Sequence, residues 1–219
     1  MKGLLALAAA YAALMLWRYG RRAILFAAPG LLRFSWRPSA APATPAQRQC
    51  GDELAALGFT RLGARSEDGP LGGLGQSADA WASEALGTYA DALEERPRPG
   101  APPRVSFLSA FPDGAAALTV NFARQPRSAE RVEAGGMPGA DVASTLAAHR
   151  RTLDRMARHG QPRASADRPG RDAAARAWYR AAGASELRGR FLAHFVNALL
   201  AALILAGALR ILVSGSRVP

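Results

Sequence analysis

The sequence predicts an α+β fold in which a small antiparallel sheet with packed helices is flanked by two transmembrane helices. Three observations lead to this prediction. An apolar run lies near each end of the chain, the residues between the runs are polar, and that middle part holds both a hairpin-like segment and a helix with one apolar stripe. The length of 219 residues fits one domain with accessory segments.

Residues 1–20 are predicted to form an N-terminal transmembrane signal anchor. The run Gly3–Trp17 is uninterrupted and apolar, and Trp17 and Tyr19 lie where an interfacial aromatic belt is expected. As a helix this run covers roughly 22 Å of a hydrocarbon core of about 30 Å, so flanking residues must extend the span. A cleaved signal peptide is the alternative, but Trp17-Arg18-Tyr19 does not resemble a small-residue cleavage site.

Residues 21–45 are predicted to form a basic interfacial segment followed by a Pro/Ala linker. Ala23–Trp36 is apolar with aromatic ends, but Pro29-Gly30 interrupts it and leaves halves too short to cross a bilayer. A hydrophobic strand or helix packed on the domain is the alternative for this segment. Pro38–Pro45 has the composition of a stiff, extended linker.

Residues 46–187 are predicted to form a soluble α+β domain. A helix should begin near Pro45, since proline is favoured at the first helical position, and Thr60–Arg65 is strand-like. Ser77–Glu95 is ambiguous, because its large apolar residues recur at helical spacing while a strand around Gly87–Ala92 also fits.

The clearest local signal in this domain is a β-hairpin. The β-prone runs Val105–Phe111 and Ala117–Phe122 flank the turn sequence Pro112-Asp113-Gly114. The turn explains Asp113 better than catalysis does.

Two helices are predicted in the rest of the domain. The first should be capped by Asp141 and run to about Arg158, with His149 inside its apolar stripe. The second should resume at about Arg171 and continue towards the last apolar run.

Residues 188–213 are predicted to form the C-terminal transmembrane helix. Within it, Phe191–Leu209 has only His194 and Asn197 as polar residues, and a hydrogen bond between helices is the preferred explanation for them, with Tyr11 as a candidate partner. The two spans are expected to pack through rows of small residues: Ala6, Ala9, Ala10 and Ala13 on the first, and Ala198, Ala202 and Ala206 on the second.

The net charge of +11 comes from the ends of the chain. Pro38–Leu187 holds 18 arginines and 17 acidic residues, so its charge is 18 − 17 = +1. The basic residues therefore favour a lipid bilayer with anionic headgroups as partner and argue against nucleic acid. The single lysine, Lys2, among so many arginines suggests the coding bias of a bacterium, and the lone Cys50 excludes an intrachain disulfide.

No catalytic, cofactor-binding or metal-binding residue is assigned from the sequence, and no cofactor is expected. The three histidines lack metal-site spacing, and no nucleophile motif is present. His149 fits a hydrogen-bonded core histidine, and Cys50 fits an inert buried thiol. A Cys50–His149 pair stays open, since such partners need not be close in sequence.

The predicted position of the chain in a membrane therefore says more about its function than any sequence motif does. Arginines flank both spans on the side of the middle domain, which places that domain in the cytoplasm as part of a two-pass protein of the cell inner membrane. The predicted role is an interaction or assembly module with a membrane protein as possible partner. The alternative is a membrane-bound, hydrolase-like enzyme without a recognisable motif. The oligomeric state stays open.

Overall fold

The computed structural model describes residues 2–37, 42, 44–70, 76–94 and 102–214, which form two units. The first unit, called the helical pair below, contains the chain up to Arg33, a short segment from Asp68, and the chain from Ala184. The second unit, called the domain, contains Phe34–Glu67 and the described residues from Gln76 to Gly183. The predicted Pro38–Pro45 linker lies largely outside the described residues.

The domain is built on an eight-stranded sheet with the order β1-β2-β3-β4-β5-β6-β8-β7. The strands are β1 Arg33–Arg37, β2 Thr60–Asp68, β3 Gln76–Ser83, β4 Thr88–Leu93, β5 Val105–Ala110, β6 Ala116–Val120, β7 Arg127–Ala129 and β8 Val132–Gly136. The pairs β2–β3, β3–β4, β4–β5, β5–β6 and β7–β8 are antiparallel, whereas β6 and β8 are parallel. The α+β class is confirmed, and the sheet is larger than the small one predicted.

Helices cover both faces of this sheet. The α-helices of the chain are α1 Lys2–Ala27, α2 Pro45–Ala56, α3 Val142–Arg155, α4 Arg168–Trp178 and α5 Ala184–Ser214. Because neighbouring strand residues point to opposite faces, Ala80 and Ala82 pack with Trp178 of α4, while Trp81 between them packs with Leu54 of α2 and Leu146 of α3. The domain thus has two apolar cores, one on each face of the sheet.

Local signals in the sequence placed several elements correctly. Thr44 caps α2 in a capping box with Gln47, and Asp141 caps α3 by accepting a hydrogen bond from the Ser144 backbone nitrogen at 2.6 Å. The predicted hairpin is β5–β6, with its Asp113 turn. However, the hairpin lies in the middle of the sheet between β4 and β8, so it offers no free edge to a partner.

Two segments had more than one predicted structure. The described part of Ser77–Glu95 forms the antiparallel strands β3 and β4, so the strand is the correct one of the two interpretations that its spacing left open. Both faces of these strands are buried, which removes the alternation that marks a half-exposed strand. Within Ala23–Trp36, α1 continues to Ala27 and Arg33–Arg37 joins the sheet as β1, a strand of the domain as in the alternative interpretation; a position in the membrane interface stays a prediction.

The helical pair consists of α1 and α5, which pack together along one stripe of each helix. On α1 one row of residues that are not exposed recurs at spacings of three and four: Leu5, Ala9, Ala12, Leu16, Tyr19, Ala23 and Phe26. On α5 the same spacing holds for Leu187, Phe191, His194, Ala198, Ala201, Leu205 and Ala208. This repeat is the seam of a left-handed helix pair. The stacked rings of Phe26 and Phe195, 4.5 Å apart, lie in the same contact.

The seam differs in detail from the predicted rows of small residues. Ala9 and Ala198 are buried in it as expected, but Ala10 and Ala206 are exposed. Tyr11 is 64% exposed, so it is not the partner predicted for His194. The ring beside His194 is that of Tyr19, with centroids 5.7 Å apart. The predicted rows placed small residues four positions apart, and such a row winds gradually around the helix. Residues spaced alternately three and four apart stay on one side of the helix, so they form the contact.

In the part of the chain that the structure describes, two helices are long and apolar enough to cross a membrane. One candidate span is Gly3–Ala27, and the other lies within Arg168–Ser214. The most apolar 18 residues of each have mean hydropathies of 1.3 and 2.3, and only 11% and 17% of these residues are buried.

Candidate functional site

The domain contains a cavity of about 330 Å³ between α3 and the β7–β8 end of the sheet. This volume is at the lower end of the range found for small-molecule sites. Residues of α3, β8 and the start of β7 supply most of the polar lining: Arg127, Ser128, Glu133, Arg151, Thr152 and Arg155. The cavity forms where α3, which packs on β5 and β6, leaves the last two strands uncovered.

Two neighbouring glycines at the end of β8 shape the cavity differently. A Cβ at Gly136 would lie 2.3 Å from the carbonyl oxygen of Phe122 and 2.8 Å from the backbone nitrogen of Arg124, so this close approach requires glycine. A Cβ at Gly135, which lines the cavity, would meet no atom within 4 Å. Glycine at 135 therefore leaves open space and serves no close backbone contact.

The cavity carries a net positive charge. Its lining residues include three arginines and one glutamate. The Arg127 guanidinium lies on the other, α4 face of the sheet, so Arg151, Arg155 and Glu133 give the cavity a charge of 2 − 1 = +1. Glu133 is paired with Arg155, whose Nε donates to it at 2.7 Å. Arg127 donates from Nη1 to the carbonyl oxygen of Ala182 at 3.1 Å. The Arg151 side chain is exposed and makes no hydrogen bond or ion pair with the part of the chain that the structure describes.

His149 is a fully buried core histidine, as the sequence predicted. Its Nε2 lies 3.1 Å from the hydroxyl oxygen of Ser109 and its Nδ1 lies 3.0 Å from that of Thr119. The Ser109 hydroxyl is also within hydrogen-bond distance of the carbonyl oxygen of Gly87, which can only accept; when Ser109 donates there, it accepts from Nε2–H and Thr119 donates to Nδ1. Burial lowers the pKa of His149 to about 3, so the ring is held neutral.

Cys50 is a residue of α2 whose side chain is buried in the core, and its thiol is therefore inert. Burial, with smaller contributions from Glu53 and Asp79, raises the pKa of Cys50 to about 12. A thiol with so high a pKa forms almost no thiolate near neutral pH, and the thiolate is the reactive form.

Asp113 has the turn role that the sequence predicted. It accepts a hydrogen bond from the backbone nitrogen of Ala115 at 3.0 Å, and it also pairs with Nδ1 of His159 at 2.8 Å. The backbone bond from Ala115 and then the bond from His159 lower the pKa of Asp113. The partner His159 could not be predicted, because it lies far away in the sequence.

A buried charged network on the α4 face of the sheet was not predicted. Arg65 of β2 is 3% exposed, and its guanidinium pairs with Glu67 at 2.8 Å and with Asp172 of α4 at 3.2 Å. The ring of Phe34 lies 4.3 Å from the guanidinium carbon. Burial alone would lower the pKa of Arg65, but Glu67 and Asp91 raise it above its usual value, so Arg65 stays charged.

A second buried pair completes this network. Arg171 of α4 donates to Asp91 of β4 from Nε at 3.3 Å and also from Nη2. The Tyr179 hydroxyl donates to Glu67 at 2.5 Å, and burial together with Glu67 raises the pKa of Tyr179 well above 10. These groups join α4 to three strands. We therefore interpret the network as structural.

Comparisons with known proteins give no family for this chain. No family model matches it, and neither does any curated protein or solved structure. Within the described residues, no group of three or more His, Cys, Asp or Glu side chains could hold a metal ion. The cavity beside α3 is therefore the candidate functional site, on its own geometry.

Proposed function

We propose that this chain is a two-pass membrane protein whose domain is an interaction or assembly module. One observation carries the membrane part of the proposal. Among the described residues, every exposed large hydrophobic side chain lies on α1, on α5 or in the turn after α1. A water-soluble monomer rarely exposes so large a contiguous apolar surface, whereas lipid would cover it without cost.

The orientation of the protein follows from its charges. Arginines cluster after the first span and before the second, which is the side that joins the domain in both cases. Under the positive-inside rule the domain lies in the cytoplasm of a cell whose inner membrane holds both helices. Both chain ends then face outward.

The side chains of the domain that could act in catalysis have structural roles, which supports a binding function over a catalytic one. His149 and Cys50 are buried and Asp113 holds a turn, so each has a structural role. Anchoring at two points also raises the local concentration of a module for partners in the same membrane, without any further contact. The exposed arginines of α3 are a plausible contact surface.

A membrane-bound hydrolase is the competing proposal, and the contact between Ser109 and His149 is the observation that favours it. Two features weigh against this function. Both side chains are fully buried, and the carbonyl oxygen of Gly87, 2.9 Å from the Ser109 hydroxyl, competes with the imidazole for its proton. A serine nucleophile needs the opposite arrangement, in which the histidine accepts that proton.

Crosslinking in living cells tests the module. A photoreactive residue at Ala147, an exposed position of α3, should capture a membrane protein of defined size. The matched control carries the same group at Ala55, an exposed position of α2 on the same face of the sheet. Capture of a discrete partner from Ala147 alone supports the proposal, and uniform or absent capture at both positions contradicts it.

Extraction at alkaline pH tests the membrane part separately. A protein with two spanning helices should stay with the lipid pellet, and a protein that only binds the membrane surface should be released. Release of the full chain into the supernatant would contradict the two-pass proposal.

A further inference from the structure

We propose that the cavity beside α3 binds a small ligand through a phosphate group, with Arg151 as its main contact. This inference rests on the proposed binding role of the domain and names the chemistry of the ligand. Three features of the cavity carry it: its size, its unbalanced charge and the open space at Gly135.

The charge of the cavity suits an anion with several acceptor oxygens. Within the described part of the chain, Arg151 lines the cavity as an unpaired cation beside the Arg155–Glu133 pair, while the Arg127 guanidinium is held by the carbonyl oxygen of Ala182 on the other face of the sheet. A phosphate monoester has three acceptor oxygens and is negatively charged at neutral pH. Guanidinium groups bind such oxygens with paired hydrogen bonds.

Arg151 is the residue free to make this contact. Arg155 is held by Glu133, and Arg127 is held in part by the carbonyl oxygen of Ala182. Arg151 has no partner in the described part of the chain, although its helix neighbour Asp154 is only three residues away. The hydroxyl of Ser128 in the lining gives a further neutral donor.

Gly135 provides the room for the ligand. Its missing side chain leaves space in which a Cβ would touch nothing within 4 Å, whereas a Cβ at the adjacent Gly136 would lie less than 3 Å from two backbone atoms. A valine at position 135 would fill part of the cavity without displacing a backbone atom, and β-branched residues suit strands. Gly135→Val therefore blocks the cavity without changing its charge.

Calorimetric titration of the full chain in neutral detergent tests the inference. The probes are inorganic phosphate and glycerol phosphate, with glycerol and sodium chloride of equal ionic strength as controls. We expect saturable binding of both phosphate compounds and none of the controls. Arg151→Gln should weaken binding about tenfold or more, because a hydrogen bond to a charged group is lost. Arg150→Gln changes the net charge equally but does not line the cavity, so it should leave binding unchanged.

Gly135→Val should abolish binding of glycerol phosphate while the thermal unfolding temperature stays within a few degrees of the parent protein. If this variant fails to fold, Gly135→Ala replaces it, with a weaker but measurable loss. No saturable binding of either compound, or equal weakening by Arg150→Gln and Arg151→Gln, would overturn the inference. The crosslinking experiment at Ala147 is a separate readout, so a partner captured without phosphate binding would leave the module intact and this inference wrong.

Nanodiscs distinguish two sources of the phosphate group. If a lipid supplies it, glycerol phosphate binds more weakly in nanodiscs that contain phosphatidic acid, whose headgroup is a phosphate monoester, than in phosphatidylcholine nanodiscs, because the lipid competes. If the ligand is soluble, the affinity is the same in both. Either result supports a phosphate site.

Discussion

Neutral His149 in the core predicts a specific loss of stability in acid. The folded protein holds the pKa of His149 at about 3, against a usual value of 6.5 in the unfolded chain. Below pH 6.5 the unfolded state therefore binds a proton that the folded state does not. The contribution of the neutral His149 ring to the free energy of unfolding is therefore fully present above pH 6.5 and is lost as the pH falls towards 3.

The size of this effect follows from the difference in proton binding. At pH 5 the unfolded chain lies 1.5 pH units below its histidine pKa, and each unit corresponds to about 1.36 kcal/mol. Because of His149, the free energy of unfolding should therefore be about 2 kcal/mol lower at pH 5 than at pH 8. Carboxylates also titrate in this range, so only the difference between variants isolates the histidine.

Urea unfolding of the full chain in detergent, followed by tryptophan fluorescence at pH 8 and pH 5, measures the effect. His149→Gln removes the titrating ring and should reduce the loss between the two pH values by about 2 kcal/mol, although the variant itself is less stable at pH 8. His159→Gln removes the partly exposed histidine beside Asp113 and serves as the control. An unchanged pH dependence in His149→Gln would refute the assignment of a neutral, buried imidazole.

Three further predictions concern the domain. Asp91→Ala leaves the buried Arg171 unpaired and should lower the free energy of unfolding in urea by about 3–5 kcal/mol. The double variant Asp91→Leu with Arg171→Met should recover much of that loss. Additive effects of the two positions would contradict the pairing. Native Cys50 should resist a maleimide reagent at pH 7.5 and react at once in urea, and fast native labelling would show that the thiol is not buried. Gly136→Ala should lower the unfolding temperature by several degrees because its Cβ meets backbone atoms, while Gly135→Ala should not; equal effects would refute the close approach at Gly136.

Local chemistry explains what could be predicted from the sequence. The Asp141 cap, the apolar stripe around His149 and the Pro-Asp-Gly turn each act within a few residues, so their structure could be inferred without knowledge of the rest of the fold. The same holds for the two apolar helices, whose length and composition alone make them candidate spans.

What could not be predicted has physical reasons as well. β3 and β4 are rich in alanine and buried on both faces, so their sequence lacks the alternation of a half-exposed strand. β8 contains Glu133 and two glycines, which disfavour strands, and its parallel pairing with β6 is set by the tertiary structure.

The candidate site was missed because its parts are far apart in the sequence. Arg127 on β7 and Arg151 on α3 line one cavity only when the fold brings these elements together, and the same is true of Arg65 and Asp172 in the buried network. A signal was present at one place: two adjacent glycines in a β-strand are unusual and can mark a close approach or an open site.

Impermeant thiol labelling in intact cells tests the central claim, which is a two-pass protein with a cytoplasmic domain. Because Cys50 is buried, the parent chain should give no signal and serves as the blank. Ala147→Cys reports on the domain, and Ser214→Cys reports on the end of α5; both positions are exposed. The proposal predicts labelling of Ser214→Cys in intact cells and of Ala147→Cys only after the membrane is permeabilised. Labelling of Ala147→Cys in intact cells, with Ser214→Cys protected, would contradict it.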